Sequence, residues 1–290
     1  MRLCIASVLA VLLALSCPFG MSEVLETFDK CSEFFLRGQP PVIPGILIPK
    51  SDHAHYKKIC QKYNSQDNNQ RYMFATLYDT SSRIPVFSAY KYTGRGNFDR
   101  PGDLWKIEPQ LDPHVGDMTV PYKNQAINED YFANNFGMNR GHLFPSSHAA
   151  DVFTAESTFT LTNIVPQYGA FNAGGWRSME IESGDTMNTQ CIDNNKKVLA
   201  HVLTGAIPGK NKLNDRVNIP SSMWMAFCCY NSGERLWVSQ AYWALNKKER
   251  DDSGISRMSL EKLQQFLSEK WVENVQLFRN NCRDVPKSIH

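Results

Sequence analysis

The chain has 290 residues and a mass of 33.0 kDa, with 42% apolar, 11% aromatic and 21% charged residues. These proportions exclude a disordered chain, a collagen and a coiled coil. Lys and Arg number 31 against 29 Asp and Glu, a net charge of +2, so a polyanion must be held by a local cluster of cations rather than by a globally basic surface.

Residues 3–22 carry no charge, follow Arg2, and run apolar to Leu15 before Ser16, Cys17 and Pro18 interrupt them. A basic start, a short apolar run and a small-residue end describe a secretory signal, residues 1–22, with cleavage between Gly20 and Glu23. The run is too short and broken to span a bilayer, and no later stretch is long enough for a transmembrane segment. Secretion places Cys31, Cys60, Cys191, Cys228, Cys229 and Cys282 in an oxidising compartment, where an even number predicts three disulfides. The spacings match no zinc site. Cys31 and Cys60 form the natural local pair; adjacent Cys228 and Cys229 would point to opposite faces of a strand and so serve different partners.

With no linker or repeat to divide it, 23–290 reads as a single domain. Residues 71–77 and 83–92 are β-rich and joined by the turn-like Asp79 to Ser82, a predicted hairpin. Further strands are expected at 158–165, 197–205, 222–230 and 235–245. Loops are expected at 64–70, 94–103, 207–216 and 247–256. Leu260, Leu263, Leu267 and Trp271 have helical spacing, with Ser256 and Ser259 as candidate N-caps. Strands interleaved with few helices predict an α+β class.

The chemistry-bearing residues concentrate in one region. Asn139-Arg140-Gly141-His142 lies in a loop-like stretch, followed by Asn163-Ile164-Val165-Pro166-Gln167 and then Asn172, Trp176, Arg177 and Glu180. Phosphodiester hydrolysis needs a base for water, a cation for phosphate oxygens and usually a metal for developing charge. His142, Arg140 and an Asn172/Glu180 pair supply that set. On a helix over 172–182, Asn172 and Glu180 would stand about 80° apart around the axis and about 12 Å along it. Both cannot ligate one ion directly, but Glu180 leans toward the N-terminus and could reach a metal-bound water. Oxygen donors with retained waters favour Mg2+, with Mn2+ as the alternative ion, over zinc.

Asn139-Arg140-Gly141-His142 resembles the Asp-Arg-Gly-His signature of the DNA/RNA non-specific endonucleases, the ββα-metal nucleases. Asn163-x-x-Pro166-Gln167 with Asn172 and Glu180 resembles that family's next motif, and weaker likeness at Trp105 to Pro109, Thr204-Gly205, Ile219 to Ser221 and the 258–268 helix extends it over roughly 70–268. The cysteine placement resembles the secreted endonuclease domain-containing 1 subgroup. The resemblance implies a ββα-metal nuclease fold, with a mixed or antiparallel central sheet flanked by helices and stapled by disulfides. It further implies a secreted endonuclease cleaving DNA and RNA with little sequence preference, with phosphate contact at Arg140. His142 would be the general base, Asn172 the direct metal ligand and Glu180 a ligand through water. Asn163 would support the histidine. Asn139 departs from the family's usual Asp, which puts rate in question.

Other residues admit plainer readings. Arg100, in a Gly/Pro loop, is a second candidate phosphate cation; His148 reads as structural, His53 and His55 as surface residues and Gly94-x-Gly96 as a turn. Two rivals to a nuclease stand: a catalytically weak or inactive secreted binding module of the same fold, and a hydrolase using Ser146 as nucleophile, for which no Gly-x-Ser-x-Gly elbow is present.

Overall fold

The computed structural model describes residues 22–47, 54–63, 71–102, 105–112, 122–132, 134, 136–248, 255–271, 274–279 and 282–284. In chain order the strands are β1 (Glu23–Leu25), β2 (Tyr56–Tyr63), β3 (Arg71–Asp79), β4 (Ile84–Tyr92), β5 (Met138–His142) and β6 (Ile164–Tyr168). They continue with β7 (Ala200–Ile207), β8 (Lys212–Leu213), β9 (Val217–Asn218), β10 (Ser222–Asn231), β11 (Leu236–Leu245), β12 (Arg257–Met258) and β13 (Arg283–Asp284). The helices are α1 (Val152–Ser157), α2 (Gly169–Phe171), α3 (Arg177–Gln190) and α4 (Leu260–Trp271).

A nine-stranded sheet organises the described residues in the order β1-β2-β3-β4-β7-β10-β11-β12, antiparallel throughout, with β13 pairing parallel to β11. Both faces are covered. Along β10 the side chains alternate: Met223, Met225, Phe227 and Cys229 enter one apolar cluster, while Trp224, Ala226 and Cys228 enter the other, as a strand buried on both sides requires. The first cluster holds Trp176, Met179 and Met187 beneath α3; the second holds Leu260, Leu263 and Leu267 of α4 and the N-terminal Phe28, Phe34 and Phe35. Gly205 of β7 belongs at the sheet's centre because a Cβ there would lie 2.3 Å from the Trp224 ring and 2.5 Å from the Val86 carbonyl oxygen.

The disulfides use the same two-sided geometry. Cys31 pairs with Cys60, Cys191 with Cys229 and Cys228 with Cys282. The adjacent cysteines of β10 do serve opposite layers: Cys229 ties down the end of α3, and Cys228 ties the C-terminal segment to the other face. The predicted α+β class and the hairpin of β3 and β4 are present, and the strands expected near 197–205, 222–230 and 235–245 appear as β7, β10 and β11. Ser259 caps α4 by accepting from the Lys262 N–H at 3.1 Å; Ser256 stands a residue before β12 and is not the cap.

Three expectations are corrected. The stretch 158–165 is not a strand: Thr158 closes α1, with both its N–H and its hydroxyl donating to Ala155 O (3.1 and 2.7 Å). A tight turn follows over 161–163, and β6 starts only at Ile164. Local side-chain hydrogen bonding has overridden β-propensity there. The 139–142 stretch is not a loop but β5, paired antiparallel with β6. The expected loop at 207–216 contains β8. The predicted signal through position 21, His53, the loop at 64–70 and most of 247–256 lie outside the described residues. Among the described residues no helix is long and apolar enough to cross a membrane.

Candidate active site

The two-stranded ribbon of β5 and β6 runs into α2 and α3, a strand-strand-helix unit laid against β4 and β10. Because side chains alternate along a strand, Arg140 and His142 share one face of β5 while Asn139 and Gly141 share the other. The register sets Gly141 opposite Val165 and His142 opposite Ile164. A Cβ on residue 141 would lie 2.1 Å from the buried Gln167 side chain, so any larger residue between Arg140 and His142 would have to displace Gln167.

Opposite this ribbon, Asn172 begins a wide π-type turn over Asn172–Trp176, where Gly174 leaves the helical region at φ −101°, ψ −111°. An extra residue in one turn shortens the angular count between Asn172 and Glu180 from eight helical steps to about seven. The offset falls from about 80° to about 20°. The distortion thus brings the two side chains toward one face, which a regular helix would not.

The result is a cleft of about 330 Å3 lined by His142, Asn172, Glu180 and four arginines, Arg95, Arg100, Arg140 and Arg177, with Ser146 at its border. Trp105 and Phe159 wall the His142 ring at centroid distances of 5.4 and 5.0 Å, and Arg100 lies 5.0 Å over Phe159. Burial, assisted by the Arg100 charge, pushes the His142 pKa down to about 3, so the imidazole is neutral at physiological pH. Its Nε2 is buried without a hydrogen-bond partner among the described residues. Glu180 moves the other way. Burial pushes its carboxyl up to about 8, opposed in part by the Trp176 indole and the Arg177 guanidinium, so without a cation beside it the acid is largely protonated at neutral pH.

Arg140 is held rigidly. One terminal nitrogen donates to Asn128 O at 3.2 Å and to Asn128 Oδ1, and its guanidinium carbon lies 5.0 to 5.4 Å from the rings of Phe132, Trp105 and Tyr131. Asn128 is fixed in turn, since Asp130 accepts from the Ile127 N–H at 2.9 Å and pairs with Arg216 at 2.9 Å.

Asn163 is not in the cleft. It is fully buried beneath it, and all its polar capacity is used inside the fold. Its Oδ1 accepts from Ser88 Oγ (2.8 Å) and the Phe144 N–H (3.0 Å), and its Nδ2 donates to Phe144 O and Thr158 O (3.1 Å each). It fixes the backbone two residues past His142 and does not line the cleft. His148 is structural: its Nε2 donates to Glu180 O at 2.7 Å and its Nδ1 accepts from Tyr90 at 2.9 Å, so it ties α3 to β4. His55 closes a turn whose carbonyl accepts from Thr80. Gly94 has φ +97°, the turn expected there.

The residues singled out in the sequence, His142, Arg140, Asn172, Glu180 and Arg100, meet in one cleft; Arg177 stood among the chemistry-bearing residues without a role, and Arg95 was missed. Arg177 precedes Glu180 by three residues, a same-face spacing that could have marked it; Arg95 was hidden inside the Gly94-x-Gly96 turn. For a metal, the fit is that of an oxygen-donor set. One neutral amide, Asn172, and one buried carboxyl, Glu180, border the same space, and among the described residues no cluster of three or more His, Cys, Asp or Glu is present. Such a set suits a hard, largely hydrated divalent cation and does not suit zinc.

Residues 51–269 match the family described as DNA/RNA non-specific endonuclease. The chain is similar to the human Endonuclease domain-containing 1 protein, at 30% identity over 94% of this chain and 53% of that protein, and to its mouse counterpart, at 29% over 89% and 48%. It thus spans about half the length of these relatives. Mouse mitochondrial Nuclease EXOG is 40% identical over 37% of this chain and 27% of its own. Among solved structures, that of the EndoG/EndoGI complex aligns with a TM-score of 0.52 at 18% identity, covering 78% of this chain and 88% of that one, a likeness of fold.

Proposed function

The chain belongs to the DNA/RNA non-specific endonuclease family, and from that premise we propose that it is a secreted, metal-dependent endonuclease that hydrolyses phosphodiester bonds of DNA and RNA with little sequence preference. The carrying observation is the single cleft in which a neutral imidazole, an amide-carboxyl pair and four guanidinium groups meet. The described cysteines all pair, which supports an oxidising compartment and the reading of 1–22 as a signal before one domain at 23–290.

The arginines receive the phosphate oxygens and align the backbone. Contacts of this kind carry no base information, hence the absence of sequence preference. His142, which lines the cleft with its Nε2 buried, removes a proton from the attacking water. Its basicity is low in the free protein, but a phosphodiester anion beside Arg100 offsets the guanidinium charge that helps to depress it. Substrate binding therefore offsets the smaller part of the depression, burial being the larger. Asn172 would hold a magnesium or manganese ion directly and Glu180 would hold it through water, displacing the proton that burial keeps on the carboxyl. When bound, the ion neutralises charge on the phosphate and the leaving oxygen.

The test compares wild type and His142→Ala in initial-rate hydrolysis of linear DNA, beside a binding isotherm in EDTA. Cleavage should fall by about 10²-fold to 10⁴-fold with binding nearly intact. Wild-type protein that binds and never cuts, with magnesium or manganese across pH 5 to 9, would make the chain a binding module instead.

A further inference from the structure

We infer that Phe132 is a base-stacking platform beside the cleft, and that single-stranded nucleic acid, or strands unpaired at the cut, is the substrate class this site prefers. The inference rests on the nuclease reading above and specifies the substrate of that same cleft.

Phe132 is 57% exposed, although a ring of its size is ordinarily buried. It is nevertheless well placed. Its ring lies 5.0 Å from the Arg140 guanidinium carbon, so one side rests on a cation that borders the cleft while the remainder faces solvent. The backbone that carries it is anchored on both sides. The Phe132 N–H donates to Glu129 O at 3.2 Å, and the preceding Tyr131 is buried. Asn134 then bonds Tyr131 O at 2.9 Å, Met138 O at 3.0 Å and the Met138 N–H at 2.8 Å. Asn134 thereby ties Tyr131, the residue before the ring, to Met138 at the start of β5.

Charge complementarity names the occupant. Arg95, Arg100, Arg140 and Arg177 gather phosphate, and a phosphate is joined to its base through a single sugar. A backbone seated along the arginines therefore brings a base within reach of a ring packed on one of them. Every base has a π-face, so stacking on Phe132 adds affinity without sequence preference. In a duplex the bases are already stacked and paired, and their faces are closed to a side chain unless a nucleotide is extruded. The platform therefore acts on single strands.

The experiment measures binding by fluorescence anisotropy in EDTA and initial rates in magnesium for wild type, Phe132→Ala, Phe132→Trp and Phe132→Leu. The probes are a labelled single-stranded oligodeoxynucleotide, the same strand in a duplex, and an abasic strand of equal length. Phe132→Ala and Phe132→Leu should weaken single-strand binding about 5-fold to 150-fold. Phe132→Trp should restore it, and duplex and abasic binding should shift less than about twofold. Leucine keeps an apolar body over Arg140 without the π-face, so it separates stacking from support of the arginine. Unchanged single-strand binding in Phe132→Ala, or an equal loss on the abasic strand, overturns the platform. Wild-type protein that binds single strands through Phe132 but cuts nothing would sink the nuclease reading and leave the platform standing.

Discussion

Asn163 offers the sharpest test of how the site is supported, because replacing it by Asp changes one nitrogen to oxygen and almost nothing else. The Oδ1 side keeps its bonds from Ser88 and the Phe144 N–H. The other oxygen now faces two carbonyl oxygens, Phe144 O and Thr158 O, where the amide stood at 3.1 Å from each. An ionised carboxylate has no donor there and is fully buried, so the folded state must keep the acid protonated or bear an unpaired charge. A protonated acid can donate only once where the amide donated twice, which costs about 1 kcal/mol. Above the unfolded pKa of about 3.9, holding the proton costs about 1.36 kcal/mol for each further pH unit, to a ceiling of about 4 kcal/mol at pH 7. The sign follows directly: the folded pKa is raised, so the deficit is small near pH 4 and grows as pH rises. Denaturant unfolding of Asn163→Asp and wild type at pH 4, 5, 6 and 7, read as a difference at each pH, measures it. Asn163→Ala leaves its partners unsatisfied at every pH and should show a flat deficit. An Asp deficit that is flat, or that shrinks toward pH 7, would refute the hydrogen-bond assignment at this residue.

His148 carries the opposite dependence. Burial holds its pKa at about 4 against an ordinary 6.5, so between those values the unfolded chain takes a proton that the folded one refuses. Stability should fall by about 3 kcal/mol from this group as pH drops from 7 to 4, and His148→Gln should remove that part of the slope in calorimetry; an unaltered slope would contradict it. Gly205→Ala should cost about 1–3 kcal/mol, because its Cβ would meet both a buried indole and a backbone carbonyl, and an unchanged melting midpoint would show that β7 and β10 can separate locally. Denatured without reductant, the folded protein should react with no thiol reagent at Cys31, Cys60, Cys191, Cys228, Cys229 or Cys282, and losing one bridge should cost about 2–5 kcal/mol; two or more reactive thiols would break the pairing scheme.

What could be read in advance was whatever depends on side-chain type and short-range spacing. The β3 and β4 hairpin, β10, β11 and the apolar stripe of α4 each carry their own periodicity, and the divergence of Cys228 and Cys229 follows from the two-residue period of a strand. The residues of the cleft were legible because the chemistry proposed for it needs a base, an amide and a carboxyl together. The unread part was tertiary. Nothing local marks Asn139 to His142 as a strand, since its pairing partner, β6, begins more than twenty residues later. Thr158 to Val165 has a strand's composition, but the hydroxyl of Thr158 and the amide of Asn163 spend it on turns. The relation of Asn172 to Glu180 depended on a π-type turn at Gly174, and a periodic template assumes that turn away.

The same cleft reconciles two demands that conflict in isolation. A general base should be basic, yet a site built to hold phosphate must collect cations, and cations beside an imidazole make it less basic. Here burial against Trp105 and Phe159 together with Arg100 leaves His142 neutral down to about pH 3, so in the base role proposed for it no proton would have to leave before it acts. The arginines meanwhile remain charged to receive the anion. A bound phosphodiester would then bring negative charge to the arginine that helps to depress the histidine. In the proposed mechanism that charge would offset the smaller, Arg100 part of the depression, while burial, the larger part, would remain. Glu180 completes the logic from the other side, because a carboxyl that burial keeps protonated adds no negative charge to repel an incoming phosphate until a cation displaces its proton. An ionised carboxylate in the free cleft would offset the charge of the four arginines; under the proposed metal binding, a proton released in exchange for a cation would let one small space serve both the anion and the ion that neutralises it.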